Sequence, residues 1–199
     1  MSAAVALVVR LLVAQAFVIP SASMEPLLQP GDRVVVSRAD YWAAPVGRGD
    51  VVVFDGEGLF DESEGDFVKR VIGLPGERVT CCDPRGRITV DGVPLNEPYV
   101  FGDDVPSELE FDVEVPAERL WLMGDHRSDS ADSRAHLGDP GGGMVPVDRV
   151  IGRVVAVAWP PARVTGVGRV DDVNGSPGEI TMSRTDSTKA QEGVGAWAW

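Results

Sequence analysis

Phe67-Val68-Lys69-Arg70-Val71-Ile72-Gly73-Leu74-Pro75-Gly76 is the stretch on which the architecture turns. Residues 67 to 72 are mostly aromatic or β-branched and end at a Gly-Leu-Pro-Gly turn signal, so they read as a strand. A period of two places Phe67, Lys69 and Val71 on one face and Val68, Arg70 and Ile72 on the other. Lys69 therefore sits between apolar neighbours, where desolvation disfavours the charged amine. To be half neutral near pH 7 it must fall about 3 units below its reference, roughly 4–5 kcal/mol, which burial can supply. A strand lysine whose head snorkels to water past its stem is the other reading, and the strand by itself favours it.

Upstream, Phe17-Val18-Ile19-Pro20-Ser21-Ala22-Ser23-Met24-Glu25-Pro26 holds two hydroxyls in a segment that its prolines keep from forming a regular helix. Serine is a poor nucleophile until a base takes its proton. By itself the segment reads equally as a turn whose serines satisfy backbone groups.

The same turn-then-strand grammar recurs along the chain. Pro30-Gly31 precedes Arg33-Val34-Val35-Val36, and Gly49-Asp50 precedes Val51-Val52-Val53-Phe54. Residues 55–66 read as an acidic solvent loop. Asp83-Pro84-Arg85-Gly86 is a turn, and Asp91-Gly92 between apolar residues predicts a hairpin. Residues 102–118 read as an acidic surface excursion. Arg119-Leu120-Trp121-Leu122-Met123 is a core strand, 138–146 a flexible connection, and Val150 to Trp159 a last core strand ended by Pro160-Pro161. Between the last two strands, Gly124-Asp125-His126-Arg127-Ser128-Asp129-Ser130-Ala131-Asp132-Ser133-Arg134 is dense in hydrogen-bonding side chains, with Asp–Arg pairs to hold the loop.

Composition narrows the function. The chain has 199 residues, 44% hydrophobic, with 23 Gly and 15 Pro, which suits one β-rich domain with an elaboration. Its formal net charge of -13 argues against nucleic acid as a partner. Cys81 and Cys82 are adjacent, which is neither a spaced disulfide framework nor a metal pattern. Free thiols are the expectation, with a vicinal bridge as the alternative. His126 and His136 have no metal-site spacing, so no metal and no cofactor are expected.

Residues 1–19 are apolar or small apart from Arg10 and Gln15 and are expected to form a membrane anchor, whole or the end of a longer one. A cleavable leader is the rival, although no positive charge precedes the apolar run. The chain from 166 to 199 lacks apolar periodicity and is expected to be a disordered tail.

Four of these stretches, in this order, resemble the boxes of the bacterial type I signal peptidases, membrane-bound Ser/Lys endopeptidases. They are Ser21 to Pro26, Gly31 to Val36, Phe67 to Gly76 and Gly124 to Arg134, and the likeness runs from about Arg10 to Pro160. The resemblance implies Ser23 as nucleophile and Lys69 as general base, one of the convergent relatives of the serine triad. It implies an oxyanion hole from the Ser21 hydroxyl and the Ser23 N–H, Ser130 orienting the Lys69 amine, and Asp132 with Arg134 bracing that loop. Met24 would pack beside the nucleophile, with Ile19 and Val68 lining pockets for small substrate residues. The implied fold is mainly β: an antiparallel β-sheet catalytic core over 20–165, an inserted cap over 79–118 and a short N-terminal apolar helix. The implied partners are exported preproteins, met as an added strand, and membrane lipid, with the enzyme a monomer on the outer face of the cell membrane. Leu27 stands where the family usually has Thr, and His126 where it usually has Asn; neither position carries the proton transfer.

Two other readings share parts of this pattern. A self-cleaving repressor-type Ser/Lys protease needs a DNA-binding region before the serine, and the residues ahead of Ser23 do not resemble one. A catalytically inactive tethered β domain that binds exported chains would need none of the reactive groups this sequence keeps.

Overall fold

The computed structural model describes residues 14–39, 45–60 and 65–170. Two antiparallel sheets organise them. The larger contains β1 (Ala14–Val18), β2 (Arg33–Ser37), β3 (Val51–Asp55), β4 (Asp66–Gly73), β9 (Arg119–Met123), β10 (Val145–Pro146), β11 (Val150–Trp159) and β12 (Thr165–Gly166). Its order is β1-β2-β11-β3-β4-β9-β10, with β12 pairing β11. The smaller runs β7 (Val93–Pro94), β6 (Thr89–Val90), β5 (Arg78–Cys81), β8 (Phe111–Glu114).

The valine strands form because branched side chains pack well on a pleated surface. β3 is buried along most of its length, flanked by β11 and β4. β11 pairs with β2 on one half and β3 on the other, and three register shifts bend it across the sheet. Residues of β4 divide as alternation predicts: Phe67 and Val71 join one apolar cluster and Val68 another. A further cluster joins the two sheets, with Ile72, Trp121 and Met123 of the larger packed on Val79, Ile88 and Phe111 of the smaller. Gly73 makes that approach feasible, since a Cβ there would stand 2.5 Å from the Val79 side chain.

Asp91 and Gly92 both have positive φ, 51° and 77°, the geometry of the tight turn expected between β6 and β7. Other expectations need correction. Ala14–Val18, the end of the proposed anchor, is strand β1, its backbone hydrogen-bonded to β2. Residues 1–13 lie outside the described residues, and among those described no helix is long and apolar enough to cross a membrane. The 102–118 excursion contains β8, where buried Phe111 alternates with exposed Asp112 and Glu114, and buried Val115 follows directly; the acidic neighbours mask this strand pattern.

In the acidic 55–66 loop, Phe60 is buried against Phe54 and Phe67. Val145–Pro146 of the supposed flexible connection is β10. Residues 166–170, expected to belong to a disordered tail, are docked through β12 and Val167, and 171–199 lie outside the described residues. Cys81 and Cys82, expected as free thiols, are joined to each other. β5 ends at Cys81, so the alternation that would turn consecutive side chains apart does not extend across that bond.

Candidate active site

The loop from 19 to 32 is closed at its neck. The Ile19 N–H donates to the Asp32 carbonyl and the Gly31 N–H to the Ile19 carbonyl, each at 2.9 Å. Inside it, the Glu25 N–H donates to Ala22 and the Leu28 N–H to Met24, so the chain coils without continuing as a helix. Ser23 is carried on this coil, and Met24 beneath it is fully buried. β4 meets it from the sheet.

The Lys69 amine donates to Ser23 Oγ at 2.7 Å, in a buried contact between residues 46 positions apart. Lys69 is only 4% exposed, so its head does not snorkel to water. Burial lowers its pKa from 10.5 to about 8, although the Asp132 and Asp125 carboxylates pull the other way. The Ser21 hydroxyl lies 3.3 Å from Ser23 Oγ. Ile19, Met24 and Val68 belong to one buried apolar cluster beside the pair.

The loop after β9 wraps this pair. Arg134 forks onto Asp132 through Nε and Nη2, at 2.9 and 2.8 Å, and also donates to the Arg127 carbonyl. Burial would raise the Asp132 carboxyl, but Arg134 and the Gly124 N–H, 2.9 Å away, outweigh it and hold it low. The His126 N–H donates to the Ser23 carbonyl at 3.1 Å. Gly124 packs so tightly here that a Cβ would stand 2.5 Å from that carbonyl oxygen and 2.3 Å from Ser130 Oγ. Ser130 Oγ itself is buried and makes no direct bond to Lys69, while its hydroxyl helps hold the Asp132 carboxyl low. Asp132 and Arg134 stand together as an ion pair; Ser130 stands close to the Ser23 backbone.

Several residues that hold the site had no assigned role in the sequence. Arg70, next to Lys69, forks onto Asp125 at 2.7 and 2.6 Å with both side chains almost wholly buried. Arg127 ties the loop to the connection between β7 and β8 through Glu97 at 2.6 Å and the Pro106 carbonyl at 2.8 Å. Alternation along β4 was enough to send Arg70 away from Lys69, but not to name its partner. At the two departures from the family pattern, the His126 ring lies 4.1 Å from the Phe101 ring, and Leu27 packs at the edge of the apolar cluster under the nucleophile. Among the described residues no cluster of three His, Cys, Asp or Glu side chains is arranged to hold a metal.

A buried hydroxyl against an amine of lowered pKa, carried on an antiparallel sheet, is a geometry in which a serine proton has a nitrogen acceptor within hydrogen-bond reach. Comparison with known proteins narrows the class. The signal peptidase family, peptidase S26, matches residues 1–159. A probable signal peptidase I of Mycobacterium leprae (strain TN) is 37% identical over 216 residues, covering 82% of this chain and 74% of the relative. Signal peptidase I of Mycobacterium tuberculosis (strain CDC 1551 / Oshkosh) is 36% identical over 197 residues, covering 76% of this chain and 67% of the relative. Among solved structures, a signal peptidase I of Enterococcus faecalis V583 is 26% identical at a TM-score of 0.43, covering 55% of this chain and 97% of that one.

The chain belongs to the signal peptidase family. It is a serine endopeptidase of signal peptide processing.

Proposed function

We propose that the chain cuts signal peptides from exported preproteins after small residues of the Ala-x-Ala type, with Ser23 as nucleophile and Lys69 as its base. The observation that carries the reading is the 2.7 Å contact between Lys69 Nζ and Ser23 Oγ in a buried setting. When the amine is neutral the proton transfer runs from hydroxyl to nitrogen. Ser23 Oγ then attacks the scissile carbonyl carbon, and the Ser23 N–H and Ser21 hydroxyl donate to the oxyanion, each worth a few kcal/mol in such sites. The Lys69 ammonium returns the proton to the departing amine. Water, deprotonated by the same amine, releases the acyl group from Ser23. Asp132 and Arg134 fix the loop around the amine, and Ser130 is the nearby hydroxyl suited to orient it.

Ile19, Met24 and Val68 are buried in one apolar cluster beside the serine, and a wall of that kind accepts a methyl group but not bulk. Among the described residues β1 is an edge of the larger sheet, where a substrate can add as a strand. The setting we assign is the outer face of the cell membrane, in contact with lipid, the chain acting as a monomer anchored once through its N-terminus. The test incubates a preprotein in detergent or lipid with the wild type, Ser23→Ala and Lys69→Ala. Loss of processing in both variants, with folding retained, is the expected result; equal processing by all three rules the pair out.

A further inference from the structure

Beyond Trp159 the chain leaves the residues that the family model matches, yet it does not leave the core. Arg163 Nε and Nη2 both donate to the Asp32 carboxylate at 2.9 Å, and Nη2 also donates to the Leu27 carbonyl at 3.1 Å. Asp32 is 1% exposed, and its carboxylate also accepts the Gln29 N–H at 2.9 Å. Arg169 repeats the arrangement on Asp50, with Nε and Nη2 each at 2.9 Å, while Asp50 also accepts the Gly47 N–H. Both aspartates close a Gly-Asp turn that feeds a valine strand, β2 and β3 respectively. Between the two arginines, the Val167 N–H donates to Val155, and its side chain is buried in the cluster that contains Ile19, Met24 and Leu28.

The two clamps differ in what they hold. Asp50 lies at the entry to β3, in contact with Arg153 as well as Arg169. Asp32 is one side of the neck of that loop, and Leu27 lies on its far limb. Arg163 therefore spans the coil that carries Ser23, fixing it at a second point besides the Ile19–Asp32 neck. A guanidinium suits this task because its planar fork holds a carboxylate through two bonds and keeps a third donor for a carbonyl.

We propose that Arg163 is a positioning residue for Ser23, acting through Asp32 and Leu27 from a segment outside the matched family region. The proposal rests on the reading of Ser23 as nucleophile. Lys69 and Ser23 come from separate elements, so the reach between amine and hydroxyl depends on where the coil sits over β4. Displacements of about an ångström at such a pair cost up to roughly 100-fold in rate.

The experiment compares Arg163→Ala, Arg163→Lys, Arg169→Ala and Ser23→Ala in the full chain, reading kcat and KM on a signal peptide substrate and amide hydrogen exchange over residues 19–32. The expected result for Arg163→Ala is a kcat lower by about 10- to 100-fold with little change in KM, and faster exchange over 19–32. Arg163→Lys falls between it and the wild type, and Arg169→Ala keeps both kcat and the exchange pattern of that loop. Equal losses of kcat in Arg163→Ala and Arg169→Ala reduce Arg163 to a general stabiliser and overturn the proposal. So does unchanged exchange over 19–32 in Arg163→Ala. If that variant does not fold, Arg163→Lys supplies the same comparison. Activity surviving in Ser23→Ala overturns the nucleophile reading and the catalytic half of the proposal, while the exchange data still judge the clamp.

Discussion

Lys69 Nζ lies 2.7 Å from Ser23 Oγ, and neither residue exposes more than 5% of its surface. A base must be unprotonated to act, and burial places the Lys69 pKa at about 8. Turnover is therefore expected to fall about tenfold per pH unit once the pH is well below 8, and to level off above it. A kcat/KM profile on a signal peptide substrate checks this, and a rate flat from pH 6 to 9 would contradict it.

The same shift has a consequence for stability. The folded pKa is depressed from 10.5 to about 8, so between those values the folded chain binds fewer protons at Lys69 than the unfolded chain. Stability then rises with pH across that window, and below pH 8 the whole cost of the buried ammonium is present. Lys69→Met removes that cost, so it is expected to abolish cleavage yet stabilise the fold at pH 7 by up to about 3 kcal/mol. Urea denaturation of both proteins at pH 7 and pH 10 measures it, with the gap narrowing at the higher pH.

Gly124→Ala separates activity from stability in another way. The added methyl meets the Ser23 carbonyl oxygen and Ser130 Oγ. The Ser23 backbone must shift to accommodate it, so with Ser23 as the proposed nucleophile kcat is expected to fall at least about tenfold, more steeply than the thermal midpoint suggests. Steady-state kinetics and a melting curve on one preparation provide the comparison.

Arg70→Ala leaves Asp125 buried, 0% exposed, without its forked partner. Removing one member of such a pair costs about 3–5 kcal/mol. Burial already raises the Asp125 carboxyl against the pull of Arg70, so the variant is also expected to bind a proton there. Asp125→Asn in the Arg70→Ala background should recover part of the loss, as a denaturation series would reveal.

Much of this arrangement is legible in the residues. The valine strands, the Asp91-Gly92 turn and the placement of Lys69 follow from local pattern, because side-chain period and turn chemistry are written in neighbouring positions. β1 is not, since an apolar run that continues an expected anchor looks alike whether it pairs with β2 or enters lipid. Phe60 and β8 were hidden by acidic neighbours, whose charges face water while the apolar residues between them face inward. Arg163 is the clearest case of what local reading misses. Its partner, Asp32, lies 131 positions away, and nothing within a few residues of either distinguishes that pairing from a solvated surface charge.

β4 delivers an amine to Ser23 from one residue and a guanidinium to Asp125 from the next, on opposite faces of one strand. A slip of this strand by a single position would put Arg70 in the place of Lys69 beside the serine and leave Val71 facing the carboxylate. The hydrogen-bond frame of β4 against β3 and β9 is thus itself part of the chemistry. A deletion within the strand would silence the enzyme while leaving every reactive residue in the polypeptide.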